Sequence, residues 1–195
     1  MPAQTSIQDP HEDPASSIIG RVPRDVFPGL ELDIDIIDPQ LGENLVDLVQ
    51  ALTCVLLRYE AVSSDTVGEL YVRIVDNDEM QALNRDHRGK DKPTNVLSFQ
   101  AVETDFIPQM LESAAAGGPP IMLGDIIVAA PVVVAEASEQ NKHPIHHFSH
   151  LVIHGLLHLL GHDHMEDEEA EFMEAKERAV LEGLGIDDPY AAIID

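Results

Sequence analysis

Alternating apolar and polar residues predict a small β-sheet. From Leu30, the run Leu-Glu-Leu-Asp-Ile-Asp-Ile-Ile alternates strictly, which predicts a strand with one buried face. A second strand is predicted at 67–75, and 123–130 is a nearly continuous apolar run, typical of a central strand that is buried on both faces. A short β-rich run follows Pro93, beginning at 94. Together these patterns predict about four strands.

Hydrophobic residues at helical spacing predict helices that flank this sheet. Their approximate bounds are 41–56, 76–85, 132–139, 144–160 and 168–184. Most carboxylates of the last segment are expected on a solvated face. Residues 106–120 contain Gly117-Gly118 and Pro119-Pro120, and they predict a mobile loop beside a substrate groove. The fold class is therefore α+β, with a small, mostly parallel mixed sheet flanked by helices.

The amino-terminal segment differs in composition from the rest of the chain. Residues 1–24 are rich in Pro, Ser, Asp and Gln and carry few large apolar groups. Such a segment buries too little surface to fold alone, so we expect a disordered leader at 1–24. Residues 25–195 are expected to form a single domain, a length that suits one hydrophobic core.

Composition narrows the cellular setting and the partners. The net charge of −25 argues against a generic nucleic-acid surface, and no DNA partner is expected. Four of the eleven Lys and Arg residues nevertheless fall within positions 85–92, which allows a local basic site for a phosphate chain.

Cys54 is the sole cysteine and lies in an apolar run, so it is expected to be a small buried residue. Without a signal peptide or membrane span, a cytoplasmic protein is expected.

The candidate chemistry lies in the stretch His-Gly-Leu-Leu-His-Leu-Leu-Gly-His-Asp-His, residues 154–164. His154 and His158 are four residues apart and share one face of a helix, so both imidazoles can bind one ion. Gly161 is suited to end the helix, because glycine adopts the left-handed conformation. His164 then returns as the third ligand. Three imidazoles leave one tetrahedral position for water, as in a catalytic zinc site with one ion per chain.

Other histidines compete for these roles. His150 lies one turn before His154, and His162 lies close to His164. The spacing matches the zincin pattern His-x-x-x-His-x-x-Gly-x-x-His, which favours His164 over His162. His143, His146 and His147 are expected at the surface. Ligand tautomers need hydrogen-bond acceptors, for which Asp163 or backbone carbonyls are candidates.

The residue after the first histidine separates two reaction classes. Zincin proteases have Glu there as the general base, whereas this chain has Gly155. A peptidase is therefore disfavoured, although a Glu from elsewhere in the chain would restore that possibility. Phosphodiester cleavage instead requires a fixed cation beside the metal to offset the charge that develops on phosphate.

The same stretch resembles the bacterial rRNA maturation factors of the YbeY family, and it departs only in having His162 where Tyr is usual. A second resemblance covers the segment Arg88-Gly89-Lys90-Asp91-Lys92-Pro93-Thr94, and a third covers Leu-Gly-Asp-Ile at 123–126. The resemblance extends over about residues 30–190.

The resemblance implies a function and assigns residues to it. It implies a single-strand-specific, zinc-dependent endoribonuclease that matures the 3′ end of 16S ribosomal RNA and acts in ribosome quality control with the small subunit. Arg88 falls on the family's functional arginine, and Asn95 on a position where Asp or Asn is usual. Asp125 is expected either to orient an imidazole or arginine, which we favour, or to be a solvated turn residue.

Two other functions remain open at this stage. One is a metallohydrolase of another substrate, with peptides first. The other is a non-catalytic ribosome assembly factor whose zinc is structural, in which case metal removal unfolds the protein.

Overall fold

The computed structural model describes residues 13–21, 27–163 and 167–191. The strands are β1 (Leu30–Ile36), β2 (Gly68–Val75), β3 (Val96–Gln100) and β4 (Ile121–Ala129). The helices are α1 (Pro14–Ile19), α2 (Leu45–Tyr59), α3 (Asn77–Arg88), α4 (Ile107–Ala115), α5 (Ala130–Glu139), α6 (Pro144–Leu159) and α7 (Asp167–Gly183), with a 3-10 turn at Thr104–Phe106.

The four strands form one mixed sheet in the order β1-β2-β4-β3. β1, β2 and β4 are parallel, and β3 runs antiparallel to β4 at the edge. β4 is central, and within it only Met122 and Asp125 are exposed. This confirms the predicted α+β class with a small, mostly parallel sheet flanked by helices.

The main hydrophobic core lies between one face of the sheet and α1, α2 and α6. Leu70, Val72 and Ile74 of β2 point into it, because side chains two apart on a strand share a face. The other face is covered partly by α3, whose Met80 packs in a smaller cluster with Val75. The helix that carries the candidate histidines, α6, therefore packs directly on the sheet.

The prediction of a disordered leader is wrong for the part of it that the structure describes. Pro14–Ile19 is a helix whose amino terminus is capped by the side chain of Asp13, and Ala15 and Ile18 are buried in the main core. Residues 1–12 and 22–26 lie outside the described residues. Proline lacks a backbone N–H, but in the first turn of a helix this group would have no intrahelical partner, so Pro14 costs the helix no hydrogen bond.

The prediction of a mobile loop at 106–120 is also wrong over most of its length. Residues Ile107–Ala115 form a helix that buries Ile107 and Ala114, and Pro108 lies in its first turn, where proline is tolerated. None of the helices in the described part of the chain is long and apolar enough to cross a membrane. Cys54 is buried, as expected, and burial raises the pKa of its thiol.

Candidate metal centre and basic cleft

Helix α6 begins and ends where its sequence predicts. Pro144 lies in the first turn, and the His143 side chain accepts a hydrogen bond from the Ile145 N–H. At the other end Gly161 is left-handed (φ +91°) and donates its N–H to the His158 carbonyl, while the His162 N–H reaches the Leu157 carbonyl. This pair of bonds is a Schellman motif, which ends a helix and turns the chain back over it.

The structure brings His154 and His158 together on the exposed side of α6. Their Nε2 atoms are 3.2 Å apart, and their rings are nearly perpendicular. Two tetrahedral zinc ligands at Zn–N distances of about 2.0–2.1 Å lie about 3.3–3.4 Å from each other. The separation of the two nitrogens therefore fits two ligands of one ion.

The hydrogen bonds at the opposite ring nitrogens determine the tautomers of this pair. His154 Nδ1 lies 2.8 Å from Oε1 of Glu177, and His158 Nδ1 lies 3.0 Å from the His162 carbonyl oxygen. An ionised carboxylate and a carbonyl only accept hydrogen bonds, so both Nδ1 atoms carry the proton. In the neutral rings both Nε2 atoms then present lone pairs. Lone pairs at this separation repel each other unless a proton or a metal ion lies between them, so the pair of neutral rings is suited to bind a metal ion.

The remaining ligand of the expected set falls outside the structure. Within the described ranges no third His, Cys, Asp or Glu completes a metal-binding group with this pair. The expected third ligand, His164, lies outside the described residues. The assignment of His154, His158 and His164 as zinc ligands thus stays a prediction.

The two competing histidines have other partners. His150 directs Nε2 to Oε2 of Glu177 at 2.9 Å, and it also contacts the Tyr190 hydroxyl. His162 directs Nε2 to Oε2 of Glu60 at 3.0 Å. Burial alone raises the pKa of Glu60, but hydrogen bonds from His162 and Lys176 outweigh this effect and lower the pKa. Neither histidine therefore directs Nε2 at the His154–His158 pair.

The expectation that His143, His146 and His147 lie at the surface is correct for His143 alone. His146 is half-buried, and His147 is 5% exposed with Nε2 2.8 Å from Oε2 of Glu136. Burial lowers the pKa of His147, and the contact with Glu136 opposes this shift. Glu136 also accepts a hydrogen bond from Asn95, so this carboxylate connects the loop before β3 to α6.

One further residue of the site, Glu177, is a fully buried carboxylate on α7 that the sequence patterns do not single out. Burial alone raises the pKa of Glu177, but hydrogen bonds from His150, His154 and Tyr190 outweigh this effect and lower the pKa to about 2. The sequence does contain an indication that Glu177 is buried. Met173, Glu177 and Val180 have helical spacing, which places the carboxylate on the apolar stripe of α7. A charge on such a stripe needs buried partners.

Gly155 faces β3 and β4 and lies next to the histidine pair on α6, because residues three apart on a helix, such as Gly155 and His158, are neighbours on its surface. A β-carbon at this position would lie 3.0 Å from Ser98 Oγ and 3.2 Å from two carbons of Ile126. The small residue lets α6 approach β3 and β4 closely. A glutamate, the protease residue at this position, would crowd Ser98 and Ile126.

A basic loop follows α3, which extends to Arg88 rather than ending near Arg85 as predicted. Gly89 ends the helix in the left-handed conformation (φ +69°). The buried Asn84 donates its side-chain amide to the Lys92 carbonyl at 2.7 Å, and Gln81 reaches the Asp91 carboxylate at 2.9 Å. These bonds fix the path of the loop relative to α3.

This loop and the histidine pair line the same cleft, which has a volume of about 590 Å³. Arg88, Lys90 and Lys92 lie among its lining residues together with His154 and His158. In the described part of the chain these three cations make no side-chain hydrogen bond or ion pair, whereas Arg85 pairs with Asp86. A net-acidic protein thus presents several uncompensated cations beside its histidine pair.

The preference for Asp125 as an orienting residue is wrong. Asp125 is exposed, and within the described residues its side chain makes no hydrogen bond or ion pair with an imidazole or an arginine. The reason is strand geometry. Its neighbour Ile126 faces α6, and successive strand residues point to opposite faces of the sheet. Asp125 therefore points away from α6.

This α+β fold and its sequence are both similar to those of known proteins. The fold is similar to the solution structure of TM1509 from Thermotoga maritima, with a TM-score of 0.54 and 25% sequence identity over 83% of this chain and 100% of that one. The family model described as Endoribonuclease YbeY matches residues 34–185.

Relatives of known name agree with this match. Endoribonuclease YbeY of Halorhodospira halophila is 54% identical over 63% of this chain and 75% of its own length. The protein of the same name from Chromohalobacter salexigens is 55% identical over 63% of this chain and 73% of its own length. The chain belongs to the endoribonuclease YbeY family.

Proposed function

We propose that this protein is a zinc-dependent endoribonuclease that cleaves single-stranded RNA. One observation carries the proposal: the His154–His158 pair, with its Nε2 atoms 3.2 Å apart, shares a cleft with Arg88, Lys90 and Lys92. A metal-binding pair beside uncompensated cations suits a substrate whose reacting group is anionic. The names of the relatives state endoribonuclease activity, which supports RNA as the substrate.

The residues of the cleft suit phosphodiester cleavage better than peptide hydrolysis. A peptidase of the zincin type needs a carboxylate after the first histidine, and here that position is Gly155, packed against Ser98 and Ile126. RNA makes a smaller demand on the protein, because its own 2′-OH can act as the nucleophile. The cations of the loop instead offset the negative charge of the phosphate.

Each residue has a defined task in this proposal. His154 and His158, with His164 as the third ligand, would hold one zinc ion. Zinc bound there would supply Lewis acidity and would lower the pKa of a water ligand towards about 7. Arg88 donates hydrogen bonds to the non-bridging oxygens of the scissile phosphate and offsets the charge that develops on them. Lys90 and Lys92 bind neighbouring phosphates and keep the strand in the cleft.

We further propose ribosomal RNA as the natural substrate, with maturation of the 16S 3′ end and ribosome quality control as the processes and the small subunit as the partner, in the cytoplasm. The family membership supports this substrate class. The acidic charge of the protein, −25, supports a restricted target, because RNA is attracted only near the basic loop.

The test is cleavage of a defined single-stranded RNA by nuclease-free preparations of the wild type and three variants. His158→Ala removes one ligand, and Arg88→Ala removes the phosphate contact. Arg85→Ala is the matched control, since it removes a cation of the same helix that is paired with Asp86. We expect loss of activity in His158→Ala, a reduction of roughly 10²–10³-fold in Arg88→Ala, and near wild-type cleavage in the control.

Undiminished cleavage in both His158→Ala and Arg88→Ala would refute this mechanism. The same preparations test the alternative of a structural zinc in a non-catalytic assembly factor. In that case chelation unfolds the protein, whereas a catalytic ion leaves the fold largely intact while activity is lost.

A further inference from the structure

Glu177 is a charged group in an environment that ordinarily excludes charge. It is 0% exposed and lies between α7 and α6, with Met173 and Val180 of the same helix buried in the main core. An isolated carboxylate in such a place is strongly destabilising, so its retention requires several hydrogen-bond donors.

Three donors converge on this carboxylate from two parts of the chain. Oε1 lies 2.8 Å from His154 Nδ1, and Oε2 lies 2.9 Å from His150 Nε2. The Tyr190 hydroxyl, which follows α7, also donates to Oε2. The two donors on Oε2 fix the rotation of the carboxylate, and this fixed rotation presents Oε1 to His154.

The two predicted ligands on α6 are consequently supported by groups of different kinds. His158 Nδ1 donates to a neutral backbone carbonyl, that of His162, whereas His154 Nδ1 donates to an anion. A carboxylate makes an imidazole more electron-rich and a stronger metal ligand than a carbonyl does, and it also fixes the ring's tautomer and orientation.

We propose that Glu177 is a positioning residue that sets the metal affinity of the site through His154, and that His150 and Tyr190 hold its carboxylate in place. This inference rests on the metal site of the proposed function. It assigns His150 a role other than that of ligand, and it makes the segment after α7 a contributor to metal binding.

The test begins with the zinc-loaded full-length protein, from which a chromophoric chelator removes the metal. Glu177→Gln keeps the shape of the side chain but removes its charge and one acceptor. We expect zinc to transfer to the chelator with an equilibrium constant about 10–100-fold more favourable than in the wild type. Glu174→Gln is the matched control, because Glu174 lies on the same helix, is 36% exposed and pairs with Arg178.

A second variant keeps the inference testable if Glu177→Gln does not fold. Tyr190→Phe leaves the carboxylate in place and removes one donor to Oε2, at the surface end of the network. We expect a smaller change in the same direction, about fivefold, which corresponds to the loss of one ordinary hydrogen bond.

A spectroscopic readout separates positioning from general support of the fold. In zinc-loaded protein with ¹⁵N-labelled histidine, the Nδ1–H proton of His154 should resonate downfield and exchange slowly. In Glu177→Gln it should move upfield and exchange faster, while the Nδ1–H of His158 remains unchanged as an internal reference.

The outcomes are distinct. Zinc transfer and a His154 signal like those of the wild type in both Glu177→Gln and Tyr190→Phe would overturn the inference and leave the proposed function intact. A wild-type protein that binds no zinc at all would overturn both.

Discussion

Replacing Gly155 tests why the chain has glycine at the position where zincin proteases have their catalytic glutamate. A β-carbon there would lie 3.0 Å from Ser98 Oγ and 3.2 Å from Ile126 Cδ1 and Cγ2. These distances are shorter than ordinary van der Waals contacts. The side chains of Ser98 and Ile126 must therefore give by a few tenths of an ångström when a β-carbon is added.

The magnitude follows from two opposing effects. Alanine is favoured over glycine in a helix interior by about 1 kcal/mol. Overpacking a well-filled core costs about 1–3 kcal/mol. We therefore expect Gly155→Ala to lower the free energy of unfolding by up to about 2 kcal/mol. Gly155→Glu should be more destabilising, because a larger side chain must be accommodated against Ser98 and Ile126.

Urea denaturation followed by circular dichroism measures this difference. Gly183→Ala is the matched control, because Gly183 lies in the last turn of α7 and a β-carbon there meets nothing within 4 Å. The control should be unchanged or slightly stabilised. If Gly155→Ala were as stable as Gly183→Ala, the explanation of Gly155 by close packing against β3 and β4 would be refuted.

Four further predictions concern α1, the basic loop and the metal. Ile18→Ala should lower the free energy of unfolding by about 2–5 kcal/mol, because Ile18 is buried in the main core; an unchanged denaturation midpoint would contradict the packing of α1. Asn84→Ala should cost about 1–3 kcal/mol and raise KM for RNA, because the Lys92 carbonyl loses its donor; an unaltered KM would show that the loop does not depend on this bond. Lys92→Ala should reduce the slope of log affinity for single-stranded RNA against log salt by about 0.7, as expected for one phosphate contact, and an unchanged slope would exclude that contact. Chelation should abolish cleavage while the circular dichroism spectrum persists, with recovery on adding zinc.

The sequence was informative where a pattern is local. Alternation and helical spacing predicted the strands and the larger helices, and the four-residue spacing of His154 and His158 predicted their approach to each other. The Schellman motif at Gly161 likewise depends on one glycine. These features are set by residues within one or two turns of each other, so the sequence contains them directly.

Two helices were missed because composition was averaged over long segments. The signals for α1 were present, with Asp13 as cap, Pro14 in the first turn and Gly20 after the last. The six residues of α1 are too few to change the average composition of the segment 1–24, which is polar. In the segment 106–120 the Gly and Pro pairs that indicate a loop lie at 117–120, after α4, and Pro108 is compatible with the first turn of a helix.

The support of the site by Glu177 depends on how distant segments pack. Glu177 lies 23 residues after His154, and the contact between them exists only because α7 lies against α6. Its position on an apolar stripe indicated burial but not which side chains it would meet. The prediction for Asp125 is wrong for a related reason. Which face of β4 is covered by α6 depends on how the sheet packs, and the sequence of β4 alone does not determine it.

The most direct test of the central claim is X-ray absorption at the zinc edge, on the wild type and on His158→Ala. The account predicts a first shell of imidazole nitrogens at about 2.0–2.1 Å with one oxygen from solvent, and loss of one imidazole or of the metal in the variant. A shell that contains sulfur, four protein ligands with no solvent oxygen, or a spectrum unchanged by His158→Ala would contradict it.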